Sequence, residues 1–310
     1  MALTLLESSK IALGRDQDLK ATIMELYAKS SDLLQYMPFE NITGNALTFN
    51  QEQILPTVAF RGVNEAYTEG TGQVNKVTES LAIAGGDLDV DKFLVKTGGV
   101  DQRATQEAMK IKALSLSLTK EIVKGDITVN AKSFDGLQVR LTGTQRINCG
   151  SATTSSVLTL NKLDETIDAV DEPTHLLMNK TFRRRLSAAA RNSAVGGYIT
   201  YDVDSFGRRV TKYNDLPILI ADKDNTNAEI LPFTEVTPGP GAAGCSVYAL
   251  SFDDMGVLGL QSGEMDVNDL GEIDDKPVFR TRVEWYLTLA IMRPKSAARL
   301  RYILDGAATA

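Results

Sequence analysis

The stretch DQRATQEAMKIKALSLSLTKEIVK, residues 101–124, carries the longest helical periodicity in the chain. Its apolar residues form one stripe with Leu114 beside it, namely Ala104, Ala108, Ile111, Leu118 and Ile122. Gly98–Gly99 precedes this stretch, and Gly125 suits the position just past a helix C-terminus. The pattern therefore predicts a single helix of roughly 35 Å, at ~1.5 Å per residue.

The segment before this helix alternates apolar and polar residues, which is typical of half-buried strands. The alternating pairs are Leu47 and Phe49, Val58 and Phe60, Leu81 and Ile83, and Leu88 and Val90. A polar, glycine-bearing stretch, 61–76, lies between them. We predict a long β-hairpin within 45–97, with a tip too polar to pack on its own domain.

The remaining sequence mixes helical and strand patterns. Apolar spacing predicts a helix from Asp16 to Met37, which Pro38 ends. Two more helices are predicted at Leu158–Val170 and Thr181–Asn192. Predicted strands follow at Thr211–Tyr213, Pro217–Ala221, Ser246–Phe252, Val278–Met292 and Ala298–Ile303. The fold class is therefore α+β.

The composition is that of a globular protein, and it argues against several functions. Of 310 residues, 43% are hydrophobic and 24% are charged, so a sizeable core is expected. The net charge of −7 disfavours tight, sequence-reading DNA binding, although contact with nucleic acid stays open. No stretch approaches the ~20 apolar residues of a membrane span, and the start does not resemble a signal peptide.

Few residues suit catalysis or metal binding. His175 is the only histidine, and it lies in an apolar run typical of a buried strand. Cys149 and Cys245 are expected to be reduced, partly buried thiols; a disulfide or a zinc site is the alternative. We therefore predict no enzyme activity, no cofactor and no metal site.

Three acidic segments are candidate cation sites. Asp87, Asp89 and Asp91 lack the glycine and glutamate of a calcium loop, so we interpret them as the polar face of a strand. Asp222-Lys-Asp224 fails the same test. The run Glu264–Asp275 holds six carboxylates; it could bind cations, but a solvated loop is favoured.

Arg183, Arg184 and Arg185 form a basic cluster on a predicted helix. Three adjacent guanidiniums cannot all share one partner within the chain. They are either a solvated helix face or a contact with DNA or with carboxylates of a neighbouring subunit.

Several segments resemble the major capsid proteins of tailed bacteriophages, the Hong Kong ninety-seven fold shared with encapsulins. Gly44-Asn-Ala-Leu-Thr-Phe-Asn50, Leu55-Pro-Thr-Val-Ala-Phe-Arg61 and Tyr67-Thr-Glu-Gly70 resemble the family's extended-loop hairpin, and Val77-Thr-Glu-Ser-Leu81 through Asp91 resembles its return strand. Helix 101–124 matches the spine helix, and Phe134-Asp-Gly-Leu137 resembles the turn after it. Leu176-Leu-Met-Asn179, Gly196-Gly-Tyr198 and Leu216-Pro-Ile-Leu219 resemble axial-domain segments.

The resemblance covers roughly 45–305 and implies an arrangement of parts. These are an N-terminal arm at 1–44, the hairpin at 45–97, and a peripheral domain with the spine helix at 98–157. An axial domain at 158–270 and C-terminal strands at 271–310 follow. The arm and the hairpin are both expected to lack partners within the chain. Because the arm helix starts near residue 16, a separate scaffolding protein is implied, or none.

The function implied by the resemblance is a shell subunit. It would assemble as pentamers and hexamers into an icosahedral head around double-stranded DNA, bound without sequence specificity, with a portal protein as a further partner. It would act in the virion after assembly in the host cytoplasm. The expected intersubunit contacts are Val58, Phe60, Arg61, Glu65, Tyr67, Glu69 and Lys76, with Arg183, Arg184 and Arg185 as contacts to a subunit or to DNA. An encapsulin-like compartment is the alternative, and a hydrolase is a weaker one.

Overall fold

The computed structural model describes residues 3–13, 22–26, 30–98, 100–151, 154–191, 199–203, 207, 209–235 and 243–309. Within these ranges the named helices are α1 (Leu5–Leu13), α2 (Asp32–Tyr36), α3 (Lys92–Gly98), α4 (Val100–Lys124), α5 (Leu137–Arg140), α6 (Leu160–Asp168) and α7 (Lys180–Ala189). Residues 22–26 are helical as well, and Gly143–Gln145 form a 3-10 turn. No helix in the described ranges is both long enough and apolar enough to span a membrane.

Three sheets contain the strands of the described residues. The first joins β1 (Phe39–Asn41), β4 (Ala82–Asp91), β12 (Val257–Gln261), β13 (Asp266–Glu272) and β14 (Val278–Ile291). The second joins β5 (Arg146–Asn148), β6 (Ser156–Thr159), β7 (His175–Met178), β8 (Ile199–Val203), β9 (Arg209–Tyr213), β10 (Leu216–Ile220), β11 (Cys245–Leu250) and β15 (Ala297–Thr309). The third is a two-stranded hairpin of β2 (Ala46–Ile54) and β3 (Gln73–Ser80).

Strand β14 organises the first sheet. It pairs antiparallel with β4 along its first ten residues, and with β13 and β12 in succession. Trp285 of β14 is buried against the Phe39 ring, with centroids 4.9 Å apart, and its indole N–H donates to Gln261 Oε1 at 2.9 Å. Gly259 makes this packing possible, because a Cβ there would lie 2.3 Å from the Phe39 ring.

The second sheet has the order β5-β15-β11-β7-β10-β9-β8, with β6 also on β15. Strand β11 is buried at every position, and it lies between β15 and β7. Helix α7 begins at the N-cap Asn179, whose Oδ1 accepts from the Phe182 N–H, and it buries Phe182 and Leu186. The predicted helix around 181–192 is confirmed, although Asn192 lies outside the described residues.

Helix α4 confirms the long helix predicted at 101–124, and its end is fixed by two glycines. The Gly125 N–H bonds the Glu121 carbonyl, and the Gly136 N–H bonds the Gly125 carbonyl at 2.8 Å. A Cβ at Gly136 would lie 2.6 Å from the Glu121 oxygen, and one at Gly125 would lie 2.3 Å from the Phe134 oxygen. The segment 134–137 can therefore pack against the end of α4 only because Gly125 and Gly136 have no side chains.

The N-terminal segment differs from its prediction. Helix α1 was not anticipated, and the helix expected from Asp16 to Met37 is interrupted, because Ser31 is extended and its side chain caps α2. The part of that prediction on 16–21 and 27–29 lies outside the described residues. The expectation that the arm lacks partners within the chain is wrong, since Leu33, Leu34 and Met37 are fully buried in the main core.

Two further expectations need correction. Val58 and Phe60 lie in residues 55–62, which form no strand, and the strand containing Ile83 and Val90 belongs to the first sheet instead of the hairpin. The acidic run 264–275 is not a loop throughout, because 266–272 form β13. Strand β4 is assigned to the first sheet by its pairing with β14, more than 150 residues away, which local alternation does not encode. Strand β13 forms by pairing with β14, which follows it directly along the chain.

Candidate intersubunit surface

The hairpin ends in a tip, residues 55–72, and no hydrogen bond or ion pair joins this tip to a described residue outside the hairpin. Every residue from 52 to 76 is exposed. The tip nevertheless carries large apolar side chains: Phe60 is 105% exposed, Val58 is 90% exposed and Tyr67 is 73% exposed. Large exposed apolar side chains grouped on one segment are a feature of surfaces that another molecule covers.

The tip has local order of its own. The Arg61 guanidinium lies 4.8 Å from the Tyr67 ring centroid, and the Gly62 N–H donates to Glu65 Oε2 at 2.8 Å. Arg61 Nη1 also donates to the Glu65 carbonyl at 3.3 Å. Arg61, Glu65 and Tyr67 are thus brought together, whereas Glu69 makes no such contact with described residues and Lys76 faces Asn50 within the hairpin.

The base of the hairpin is fixed to the body of the subunit. Glu79 forms an ion pair with Arg140 of α5, and both side chains are largely buried. Gln51 Nε2 donates to the Ile291 carbonyl of β14 at 2.6 Å. The hairpin is therefore anchored to the subunit at its base and ends in exposed apolar side chains. The sequence predicts the exposed tip but not the contacts that anchor the base.

The arginine cluster on α7 divides into two parts. Arg185 Nη2 donates to Asp305 Oδ1 at 2.8 Å, so one arginine has a partner within the chain. Arg183 and Arg184 form no ion pair with described residues, and they line a groove of about 660 Å³. No hydrogen bond or ion pair in the described parts of the chain joins this cluster to the hairpin.

The three aspartates of β4 are explained by the register of the first sheet. Arg282 and Arg280 lie opposite Asp87 and Asp89 and bind them through paired hydrogen bonds of 2.6–2.9 Å. The hydrogen bond from Arg282 holds the pKa of Asp87 below its usual value. The interpretation as the polar face of a strand is confirmed: Asp87 and Asp89 are paired with guanidiniums, and Asp91 Oδ1 accepts from the Phe93 N–H.

The buried nucleophiles and the histidine lie in inert surroundings. His175 is enclosed between Tyr36 and Phe252, with ring centroids 5.0 Å away on each side, and burial lowers its pKa to about 4. Cys149 and Cys245 are buried free thiols, and burial raises the pKa of both. In the described ranges no three His, Cys, Asp or Glu side chains cluster as metal ligands would.

The architecture, with its rooted hairpin, long helix and two large sheets, is the Hong Kong ninety-seven fold of viral capsids and encapsulins. An encapsulin complex from Synechococcus elongatus aligns with a TM-score of 0.61 at 16% identity, over 88% of this chain and 87% of that one. A Mycobacterium phage Bobi structure gives 0.61 at 11% identity, over 89% and 91%. A Microbacterium phage Oxtober96 structure gives 0.58 at 13% identity, over 87% and 90%.

A family model narrows this class further. The model described as major capsid protein GP7 matches residues 15–157, which contain the hairpin, α4 and α5. Over residues 15–157 the match confirms the resemblance to tailed-phage major capsid proteins that the sequence motifs indicate, and that family is structural. No curated protein sequence is significantly similar to the chain.

Proposed function

We propose that this chain is the principal subunit of a phage head, which it builds by forming pentamers and hexamers that close into an icosahedral shell around double-stranded DNA. The observation that carries the proposal is the tip of the hairpin, which is apolar, exposed and fixed at its base. The virion is accordingly the proposed location, and the portal and scaffolding proteins are proposed partners.

In the proposed contact, the tip of each subunit lies on the next subunit around a pentamer or hexamer. Such a head-to-tail contact gives a closed ring when the rotation between neighbours divides a full turn evenly. Val58, Phe60 and Tyr67 would supply the apolar contact. Burying a side chain such as Phe60 contributes about 2 kcal/mol. Arg61, Glu65, Glu69 and Lys76 would set register and orientation through charge, which adds specificity more than affinity.

The test separates folding from assembly. Ile54 pairs with Gln73, so residues 55–72 can be replaced by Asn-Gly, a two-residue turn that suits a hairpin. The shortened subunit should melt cooperatively, because its cores are intact, yet it should form no closed shells by negative-stain microscopy. A scaffolding protein would be co-expressed in both samples. Normal shells from the shortened chain would refute the proposed contact, and an unfolded chain would place the tip in the subunit's own core.

A compartment enclosing protein cargo is the second candidate, favoured by the alignment with the encapsulin complex. The two candidates differ in contents. Shells purified after expression in the native host should hold nuclease-protected DNA if the chain forms a phage head. A stoichiometric enclosed protein without DNA would favour the compartment.

A further inference from the structure

The groove beside α7 concentrates positive charge in an acidic protein. Half of its ten lining residues are basic, namely Lys180, Arg183, Arg184, Arg209 and Lys223. Lysine and arginine make up 33 of 310 residues in the whole chain, about one in nine, and the net charge is −7. One carboxylate, Asp222, lies among the lining residues, and it is 3.6 Å from Lys180.

The groove is assembled from three separate segments. Helix α7 supplies Arg183 and Arg184, strand β9 supplies Arg209, and the segment after β10 supplies Lys223. Arg209 is held in place by the Tyr201 ring, whose centroid lies 3.6 Å from its guanidinium carbon. Arg183 and Arg184 form no ion pair among the described residues, so their charge is not neutralised there.

We propose that this groove binds phosphate groups, carried by a nucleic-acid backbone or by a free polyphosphate. Guanidiniums match the geometry of phosphate oxygens and bind them with paired hydrogen bonds. Hydroxyl groups of Thr181, Ser187 and Thr211 line the same groove and can donate to further phosphate oxygens. This inference deepens the proposed function. The identification of the nucleic acid as packaged DNA rests on that proposed function.

The groove has a volume of about 660 Å³, which leaves room for more than one phosphate group. A second cavity of about 180 Å³ shares Arg183, Arg209 and Thr211 with it, but the rest of its lining along β10 is mostly apolar and includes Asp32, so the proposed site is confined to the first groove. Contacts of this kind depend on charge and not on base identity, so the site is compatible with DNA binding that lacks sequence specificity.

An acidic segment from a second copy of the chain is the competing ligand, and the structure disfavours it. Glu264 and Asp269 of the acidic run already have interactions within the chain. Glu272 pairs with Lys92, and Asp266 accepts a hydrogen bond from Asn268. Four of the six carboxylates of the run thus have a partner within the chain, which leaves fewer of them for a second copy.

The experiment measures binding of a fluorescein-labelled DNA duplex of mixed sequence to the full-length, unassembled subunit by anisotropy, over a range of salt concentrations. Arg183→Gln combined with Arg184→Gln should weaken binding about tenfold or more and reduce the log–log salt slope by about 2. The matched control removes two exposed cations outside the groove, Lys112→Gln with Lys295→Gln, and should bind like the wild type.

Competitors identify the ligand. Displacement of the duplex by sodium tripolyphosphate would show that the groove accepts free phosphate, and displacement by unlabelled duplex alone would point to a nucleic-acid backbone; both support the proposal. Displacement by poly-glutamate as effective per charge as by tripolyphosphate would overturn it. Unchanged affinity in the arginine variant, or no binding of either phosphate probe by the wild type, would overturn it as well.

This outcome is separable from the test of shell assembly. The arginine variant keeps the hairpin intact, so it should still close into shells while its DNA affinity falls. The converse outcome is a wild-type chain that forms no shells, while the arginine substitutions still abolish its DNA binding. That result would support the phosphate-binding groove and refute the proposed function as a phage-head subunit.

Discussion

Arg140 of α5 binds Glu79, the penultimate residue of β3, through both Nη atoms, with Nη2 2.7 Å from Glu79 Oε2. The two residues are 61 positions apart, and the Arg140 Nε–H also donates to the Asp135 carbonyl. This ion pair joins the base of the hairpin to the turn that ends α4. The direction in which the hairpin projects is therefore set by the body of the subunit.

The first prediction concerns this pair. Glu79→Gln keeps the shape of the side chain but leaves the Arg140 charge uncompensated in a largely buried setting. We expect a loss of about 2 kcal/mol in the free energy of unfolding, measured by urea denaturation of unassembled subunits. The exposed pair Lys162–Glu165 provides the control, and Lys162→Gln should cost under about 1 kcal/mol. Equal effects of the two substitutions would show that the Arg140 pair does not anchor the hairpin.

The second prediction separates the stability of the subunit from assembly at single residues of the tip. Phe60→Ser should change the free energy of unfolding by no more than about 0.5 kcal/mol, because the side chain is fully exposed in the subunit. The same substitution should reduce the yield of closed shells, counted by negative-stain microscopy. Val129→Ser, at another exposed apolar position, is the control and should assemble normally. Equal assembly of both variants would speak against an apolar contact by Phe60.

The third prediction concerns acid stability and Asp224. Burial alone would raise the pKa of Asp224, but hydrogen bonds from Thr226 and Lys120 outweigh it and hold that pKa well below its usual range. A depressed carboxyl pKa contributes stability above the unfolded value of about 3.9, and this stability is lost as the pH falls below it. Asp224→Asn should therefore be less stable than the wild type at pH 7.

The difference in the free energy of unfolding between the wild type and Asp224→Asn should narrow as the pH falls below about 4. Urea denaturation across the acid range measures this difference. Asp275→Asn is the control, because Asp275 is exposed and forms no ion pair with described residues. A gap between the wild type and Asp224→Asn that stays constant with pH would mean that the carboxylate form is not favoured by folding.

The fourth prediction uses the single histidine as a probe. Burial lowers the pKa of His175 to about 4, so the ring should remain neutral in the folded subunit until the pH approaches that value. The one histidine resonance in a nuclear magnetic resonance titration should have its midpoint near 4, and near 6.5 in denaturing urea. Because the folded pKa is depressed, His175 supports stability above about pH 6.5, and this contribution falls as the pH drops toward 4. A folded midpoint at the denatured value would show that the ring is accessible to water.

The sequence by itself determined the elements whose signals are local. Helix α4 follows from one apolar stripe, its end follows from Gly125, and β14 follows from a long run of β-forming residues. The exposure of the hairpin tip was also predictable, because a two-stranded hairpin cannot bury side chains such as Phe60 and Tyr67 by itself. These features depend on residues within a few turns of helix or a single strand.

The tertiary structure alone decided which distant residues meet. Asp87 and Arg282 are 195 positions apart, and their pairing depends on the register of β4 against β14. The groove beside α7 also depends on tertiary structure, because Arg183 comes from a helix and Arg209 from a strand. Register is selected by the burial of whole sheet faces and not by either residue, so one sequence read locally leaves such contacts undetermined.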